Sequence, residues 1–203
     1  MTEPLRAFAL VCTLKSSPSP SSSQLIAEQV LEALGSHGVE GDLLRVVDYD
    51  VHPGVQVDMG RGDQWPQIRQ RILAADILVL STPTWVGHMS SVAQRVLERL
   101  DAELSETDDE GRPSMYGKVA TAAVVGNEDG AHKIVADVFQ ALGDVGFTIP
   151  ASGSTYWNGE AMHPTDYNDL EKTPDVVRSA TAALARNAAH LARLLRSQQY
   201  PAG

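Results

Sequence analysis

The chain has 203 residues, 43% hydrophobic and 21% charged, proportions that suit a globular protein with a real core and exclude collagen-like and disordered classes. Sixteen Lys and Arg face 26 Asp and Glu, a net charge of −10, and so acidic a surface argues against nucleic acid as the main partner. Cys12 is the only cysteine, which rules out an internal disulfide, a Cys-based zinc site or an iron–sulfur cluster and suits a reducing cytoplasm.

Residues 1–6 lack a basic segment followed by an apolar run, so no secretion signal is expected. Residues 7–12 (AFALVC) form a nearly continuous apolar run, which reads as a strand buried on both faces. After a Ser/Pro-rich loop the period changes from Ser23: Ile26, Val30 and Leu34 recur at helical spacing, and Gly35 and Gly38 offer the stop. Residues 43–47 read as a second strand, 68–74 as a helix and 77–80 as a third strand. Ala93, Val96, Leu100 and Leu104 make a helical stripe, 119–125 a fourth strand, Ile134, Val138 and Leu142 a further stripe, and 147–149 a short fifth strand. The last helix has Thr173 as N-cap, Pro174 at its first position, Asp175 in its first turn, and Val177, Ala180, Leu184, Leu191 and Leu195 on one face. No stretch approaches eighteen consecutive apolar residues, so no membrane span is expected.

Strands alternating with helices predict one α/β domain over residues 1–203: a doubly wound, five-stranded parallel sheet with helices on both faces. Such sheets bind ligands beyond the carboxyl ends of their strands. Two segments stand apart. Residues 48–63 are too long for a plain connector and read as a mobile loop or an oligomer contact. Residues 101–112 resemble a calcium loop, but Glu106 occupies the position that needs Gly and Arg112 the one that needs a bidentate Glu, so a solvated turn is expected.

Three loops carry the candidate chemistry. In the first, Thr13, Lys15, Ser16, Ser21, Ser22 and Ser23 join a buried strand to a helix start, a setting in which hydroxyls, one cation and free N–H groups suit a phosphate dianion. Neither G-x-G-x-x-G nor G-x-x-x-x-G-K-[ST] occurs, which points to a mononucleotide. In the second, Pro83, Thr84, Trp85, Val86 and Gly87 set an indole between a rigid and a permissive residue, as a wall for a flat ligand, with His88 reading as a helix-start or surface residue. In the third, Gly126, Asn127, Glu128, Asp129 and Gly130 frame polar side chains with glycines, and Asp129 is placed to cap the next helix. No catalytic triad and no metal-ligating set accompanies them.

These loops, with T-P-T-W-V-G-H-M-S-S at 82–91, G-N-E-D-G-A-H at 126–132 and G-S-T-Y-W-N-G-E-A-M at 153–162, resemble the flavodoxin-like NAD(P)H-dependent FMN reductases over nearly the whole chain. The resemblance implies FMN, with its phosphate in the 13–23 loop and its ring between the 83–87 and 126–130 loops, and NAD(P)H as co-substrate. It implies hydride transfer to bound FMN and onward to a quinone, flavin or similar small-molecule acceptor. It also implies a homodimer or homotetramer, with Tyr156 to Glu160 near both flavin and subunit contact. The family's phosphate loop commonly carries Arg and Asn, where this chain has Lys15 and a run of Ser. The rival reading is a flavodoxin-type electron carrier without nicotinamide-dependent activity.

Overall fold

The computed structural model describes residues 3–202. Five parallel strands make the sheet: β1 (Leu5–Val11), β2 (Val39–Arg45), β3 (Ile77–Trp85), β5 (Val119–Gly126) and β6 (Ser154–Asn158), in the order β2-β1-β3-β5-β6. β4 (His88–Met89) is a two-residue antiparallel ribbon folded back on the end of β3. β1, β3 and β5 are almost continuously buried because helices cover both faces, which explains their unbroken apolar runs.

α1 (Ser22–Gly35) and α5 (Asp175–Ser197) cover one face, where Ile26, Val30, Leu34, Val177 and Leu184 meet Ala9, Val11, Val79 and Val125. α2 (Trp65–Ala74), α3 (Ser91–Leu100) and α4 (Ala131–Asp144) cover the other, packing Ile68, Val96, Leu100, Ile134 and Val138 on Phe8, Leu10, Leu80 and Val124. The doubly wound expectation therefore holds, with the reversal of strand order between β1 and β3.

Several local expectations change. The fifth strand is Ser154–Asn158 and not 147–149: Thr148 makes a single bridge to Val119, Pro150 follows, and the edge pairing with β5 starts only at Ser154. The second strand begins at Val39, because pairing with β1 overrides the polar Glu40 and Asp42 of an edge strand, and it ends at Arg45. Leu104 leaves the helical stripe, since α3 stops at Leu100 and a 3-10 turn (Asp101–Ser105) turns it outward, 59% exposed. Thr173 is not a helix cap; its hydroxyl accepts from Gln29 Nε2 at 2.9 Å, and α5 starts after Pro174 with no side-chain cap.

The two irregular segments are tied down. Arg99, fully buried in α3, pairs with Asp63 at 2.8 Å and donates to the carbonyls of His52 and Gln56, pinning the 48–63 loop across its width. Burial alone would raise the Asp63 carboxyl, but Arg99 and the N–H groups of Met59, Trp65 and His52 outweigh it and hold it far below the carboxylate range. The 101–112 turn is not merely solvated either. Glu103 is fully buried, accepting from Arg69 Nε at 2.5 Å and Ser114 Oγ at 2.6 Å. Among the described residues no group of His, Cys, Asp and Glu could hold a metal, and no helix is long and apolar enough to cross a membrane.

Candidate functional site

A cleft of about 360 Å³ opens at the carboxyl ends of β1, β3 and β5, the size range of small-ligand sites. Thr13, Leu14, Lys15 and Ser21 to Ser23 line one end, Pro83, Thr84, Trp85 and Val125 to Glu128 the other. Of the residues expected there, Ser16, Val86, Gly87, Asp129 and Gly130 lie outside the lining.

The first end is an ordered helix start. Ser21 is the N-cap of α1, its hydroxyl accepting from Gln24 N at 3.3 Å, while the Ser22 and Ser23 N–H groups fall in the first turn, which has no intrahelical acceptors. Such a turn favours an anion through its free donors and dipole. The loop before it is fixed from several sides. Ser17 donates through N and Oγ to Asp48 at 2.9 and 2.6 Å, Arg45 reaches the Lys15 carbonyl at 3.1 Å, and Ser81 Oγ donates to the Ser23 carbonyl at 2.6 Å. Ser16 serves the turn itself, its carbonyl accepting from Ser19 N at 3.1 Å. Cys12, directly before the loop, is fully buried, and burial pushes its thiol well above the ordinary range, which leaves it unreactive.

The second end is built by backbones in close approach. β3 and β4 form a hairpin whose two central residues, Val86 and Gly87, have φ of 53° and 70°, the signs a type I′ turn requires. A β-branched residue there is strained. Val86 N donates to Glu128 Oε1 at 2.6 Å, so the third loop holds the hairpin tip. At Gly130, with φ of 144°, a Cβ would stand 2.9 Å from Gly87 Cα, and at Gly126 it would stand 2.6 Å from Thr84 Cβ. Asp129 does not cap α4: it accepts from Gly130 N at 2.7 Å, and Gly130 holds the cap position without a side-chain bond. Trp85 is 53% exposed, outside the core and on the cleft wall. Thr84 is only 4% exposed, and its hydroxyl is one of three buried side-chain polar atoms without a partner among the described residues.

A strap after β6 completes the cleft with Met162, Asp166 and Tyr167, none of which sequence reasoning had placed there. Asn127 Nδ2 donates to the His163 carbonyl at 3.0 Å and to Asp166 Oδ1 at 3.2 Å; Tyr167 OH donates to Gln29 Oε1 at 2.6 Å, and Ser22 Oγ bonds Asn168. The strap lies on α1 and the third loop alike. Tyr156 and Trp157 alternate across β6: Trp157 packs on Tyr167 and lines the cleft, while Tyr156 faces His132, Oη 2.9 Å from Nε2. His88 is exposed, its Nδ1 2.7 Å from the Val86 carbonyl.

Comparison with known proteins gives this geometry a family. Residues 9–161 match the model of the NADPH-dependent FMN reductases. The 8-demethyl-8-aminoriboflavin-5′-phosphate synthase of Streptomyces davaonensis is 31% identical over 97% of this chain and 80% of its own length. A protein of Mycobacterium bovis named as the divalent metal cation transporter MntH is 36% identical over 95% of this chain, which spans only 29% of that relative. The crystal structure of RosB with bound 8-demethyl-8-formylriboflavin-5′-phosphate superposes with a TM-score of 0.87 at 31% identity, covering 97% of this chain and 82% of that one. An archaeal flavodoxin, 12% identical with a TM-score of 0.57, shares the fold.

Proposed function

Since the chain belongs to the NADPH-dependent FMN reductase family and is a flavoprotein of the oxidoreductase type, we propose that it binds FMN in this cleft and oxidises NAD(P)H there, reducing a quinone, a flavin or a similar small acceptor. The observation that carries the reading is the cleft at the carboxyl ends of β1, β3 and β5, with Lys15 and the open first turn of α1 at one end and the half-exposed Trp85 on the wall at the other.

The residues fit FMN end to end. Lys15 and the first turn of α1 hold the phosphate, with the hydroxyls of Thr13, Ser21, Ser22 and Ser23 beside it, and Ser16 contributes backbone. Pro83 to Gly87 and Gly126 to Gly130 bracket the ring, Trp85 forming a wall and Glu128 fixing the hairpin through Val86. When bound, FMN supplies the two-electron redox chemistry, so no side-chain acid or base is required. The protein's part is orientation and exclusion of water, the latter aided by Trp157 and Tyr167. The active unit is a homodimer or homotetramer in the cytoplasm, with residues 156–160 near the subunit contact.

The davaonensis relative, named for making an aminated riboflavin phosphate, supports a second reading in which the flavin phosphate is itself the substrate. A carrier of flavodoxin type is the third, supported by the shared fold. Purified protein saturated with FMN is mixed anaerobically with NADH or NADPH while the absorbance of the oxidised flavin is followed. Bleaching within the turnover time, with FMN recovered unchanged by mass spectrometry, is the expected result. Flavin recovered with altered mass from a parallel aerobic incubation that includes an amino donor selects the second reading, and bound flavin that is returned unaltered there and that neither nicotinamide reduces selects the carrier. Protein that takes up no flavin overturns all three.

A further inference from the structure

Arg45 closes β2 with 6% of its surface exposed. Its Nε donates to Gln24 Oε1 at 2.6 Å and its Nη1 to the Lys15 carbonyl at 3.1 Å. Both acceptors are neutral. Arg99, the other buried arginine among the described residues, and the less buried Arg69 each hold a carboxylate, Asp63 at 2.8 Å and Glu103 at 2.5 Å, whereas no ion pair within 4.0 Å involves Arg45 among the described residues. A buried cation without an anion is costly, and proteins seldom leave one so.

The nearby carboxylates are engaged elsewhere. Asp48 is exposed and turns both oxygens to Ser17, whose hydroxyl and N–H lower its carboxyl more than the Arg45 charge does. Glu28 reaches this cluster only through Gln24, whose Nε2 donates to its Oε1 at 2.7 Å. Among the described residues no carboxylate pairs directly with Arg45, and an anion held on the loop that Arg45 supports would supply that charge.

We propose that Arg45 is the positioning residue of the phosphate subsite: its charge balances the flavin phosphate across the 13–23 loop, and its bond to Lys15 sets the loop's backbone. This rests on the reading of that loop as the phosphate site. In a planar trans peptide the Ser16 N–H points opposite to the Lys15 carbonyl, so the Arg45 bond directs that donor away from the guanidinium to the other side of the loop.

Apoprotein is titrated with FMN and with riboflavin, read by quenching of flavin fluorescence, for the native chain, Arg45→Gln and Arg45→Lys at low and high salt. The native chain prefers FMN. Arg45→Gln is expected to raise the FMN dissociation constant about tenfold, with riboflavin unchanged, while Arg45→Lys, which keeps the charge, loses no more than about threefold. Salt should weaken FMN binding to the native chain more than to Arg45→Gln. A native FMN-to-riboflavin ratio in Arg45→Gln, or equal losses in the Gln and Lys variants, overturns the proposal. If Arg45→Gln does not fold, Arg45→Lys alone decides: an FMN loss within about threefold at unchanged riboflavin affinity is expected, and a loss shared equally by both flavins overturns the proposal. A native chain that binds both flavins alike instead removes the phosphate reading on which the proposal stands.

Discussion

The two ends of the cleft are built by opposite means. At the α1 end, side chains and an open helix turn present donors, and the supports beneath them, Asp48, Arg45 and Ser81, act through hydrogen bonds. At the hairpin end, backbone meets backbone: Gly87 touches Gly130, and Gly126 lies against Thr84. Contacts of the first kind are lost one bond at a time, whereas contacts of the second kind tolerate no added atom. Substitutions at the α1 end should therefore change affinity for one group of the ligand, and those at the hairpin end should change the shape of the whole cleft.

The severest way to break this contrast is Gly130→Val. Its Cβ would collide with Gly87 backbone in a conformation that side chains rarely adopt. A cost of roughly 1–3 kcal/mol in strain is expected, with a lower melting temperature and loss of both FMN and riboflavin binding. Thermal unfolding and flavin titration check it, and undiminished binding would mean that the two loops part freely. Lys15→Ala should act at the other end alone, raising the FMN dissociation constant about tenfold and leaving riboflavin untouched. Equal losses for both flavins would erase the distinction between the ends.

Trp85→Ala should alter flavin affinity a few-fold and shift the bound flavin's spectrum while the apoprotein keeps its melting temperature, because the indole is half exposed. A core Trp would cost about 3–5 kcal/mol on truncation, so a large fall in apoprotein stability would place it in the core after all. The smallest effect is a gain. Val86→Asn replaces a β-branched residue at φ 53° by one that tolerates that region, which is worth about 1 kcal/mol, or ~2–4 °C in a chain of this size. Calorimetry would show it.

What the sequence made legible follows from the same physics. Strands buried on both faces write themselves as apolar runs, so β1, β3 and β5 were plain, as were helices with one apolar stripe. Edge strands obey no such rule. β6 reads S-T-Y-W-N, with no apolar run to announce a strand, and β2 hides behind Glu40, Gly41 and Asp42. The three loops do follow the carboxyl ends of β1, β3 and β5, because topology fixes where strands end. Arg45 was invisible for a different reason: a lone Arg at the end of a strand is common, and only its lack of a direct ion pair among the described residues is informative. Nothing in the sequence marked the strap either, since Asn127, Gln29 and Ser22 meet it across wide separations in the chain.

The polar edge that concealed β2 also bears on whether the sheet can be continued by another strand. An unpaired strand edge invites another chain to continue the sheet, and runaway continuation is the route to fibrous aggregates. Here that border carries the exposed Glu40 and Asp42, the latter paired with Arg71, so any strand that continued the sheet on this side would have to lie against a charged edge.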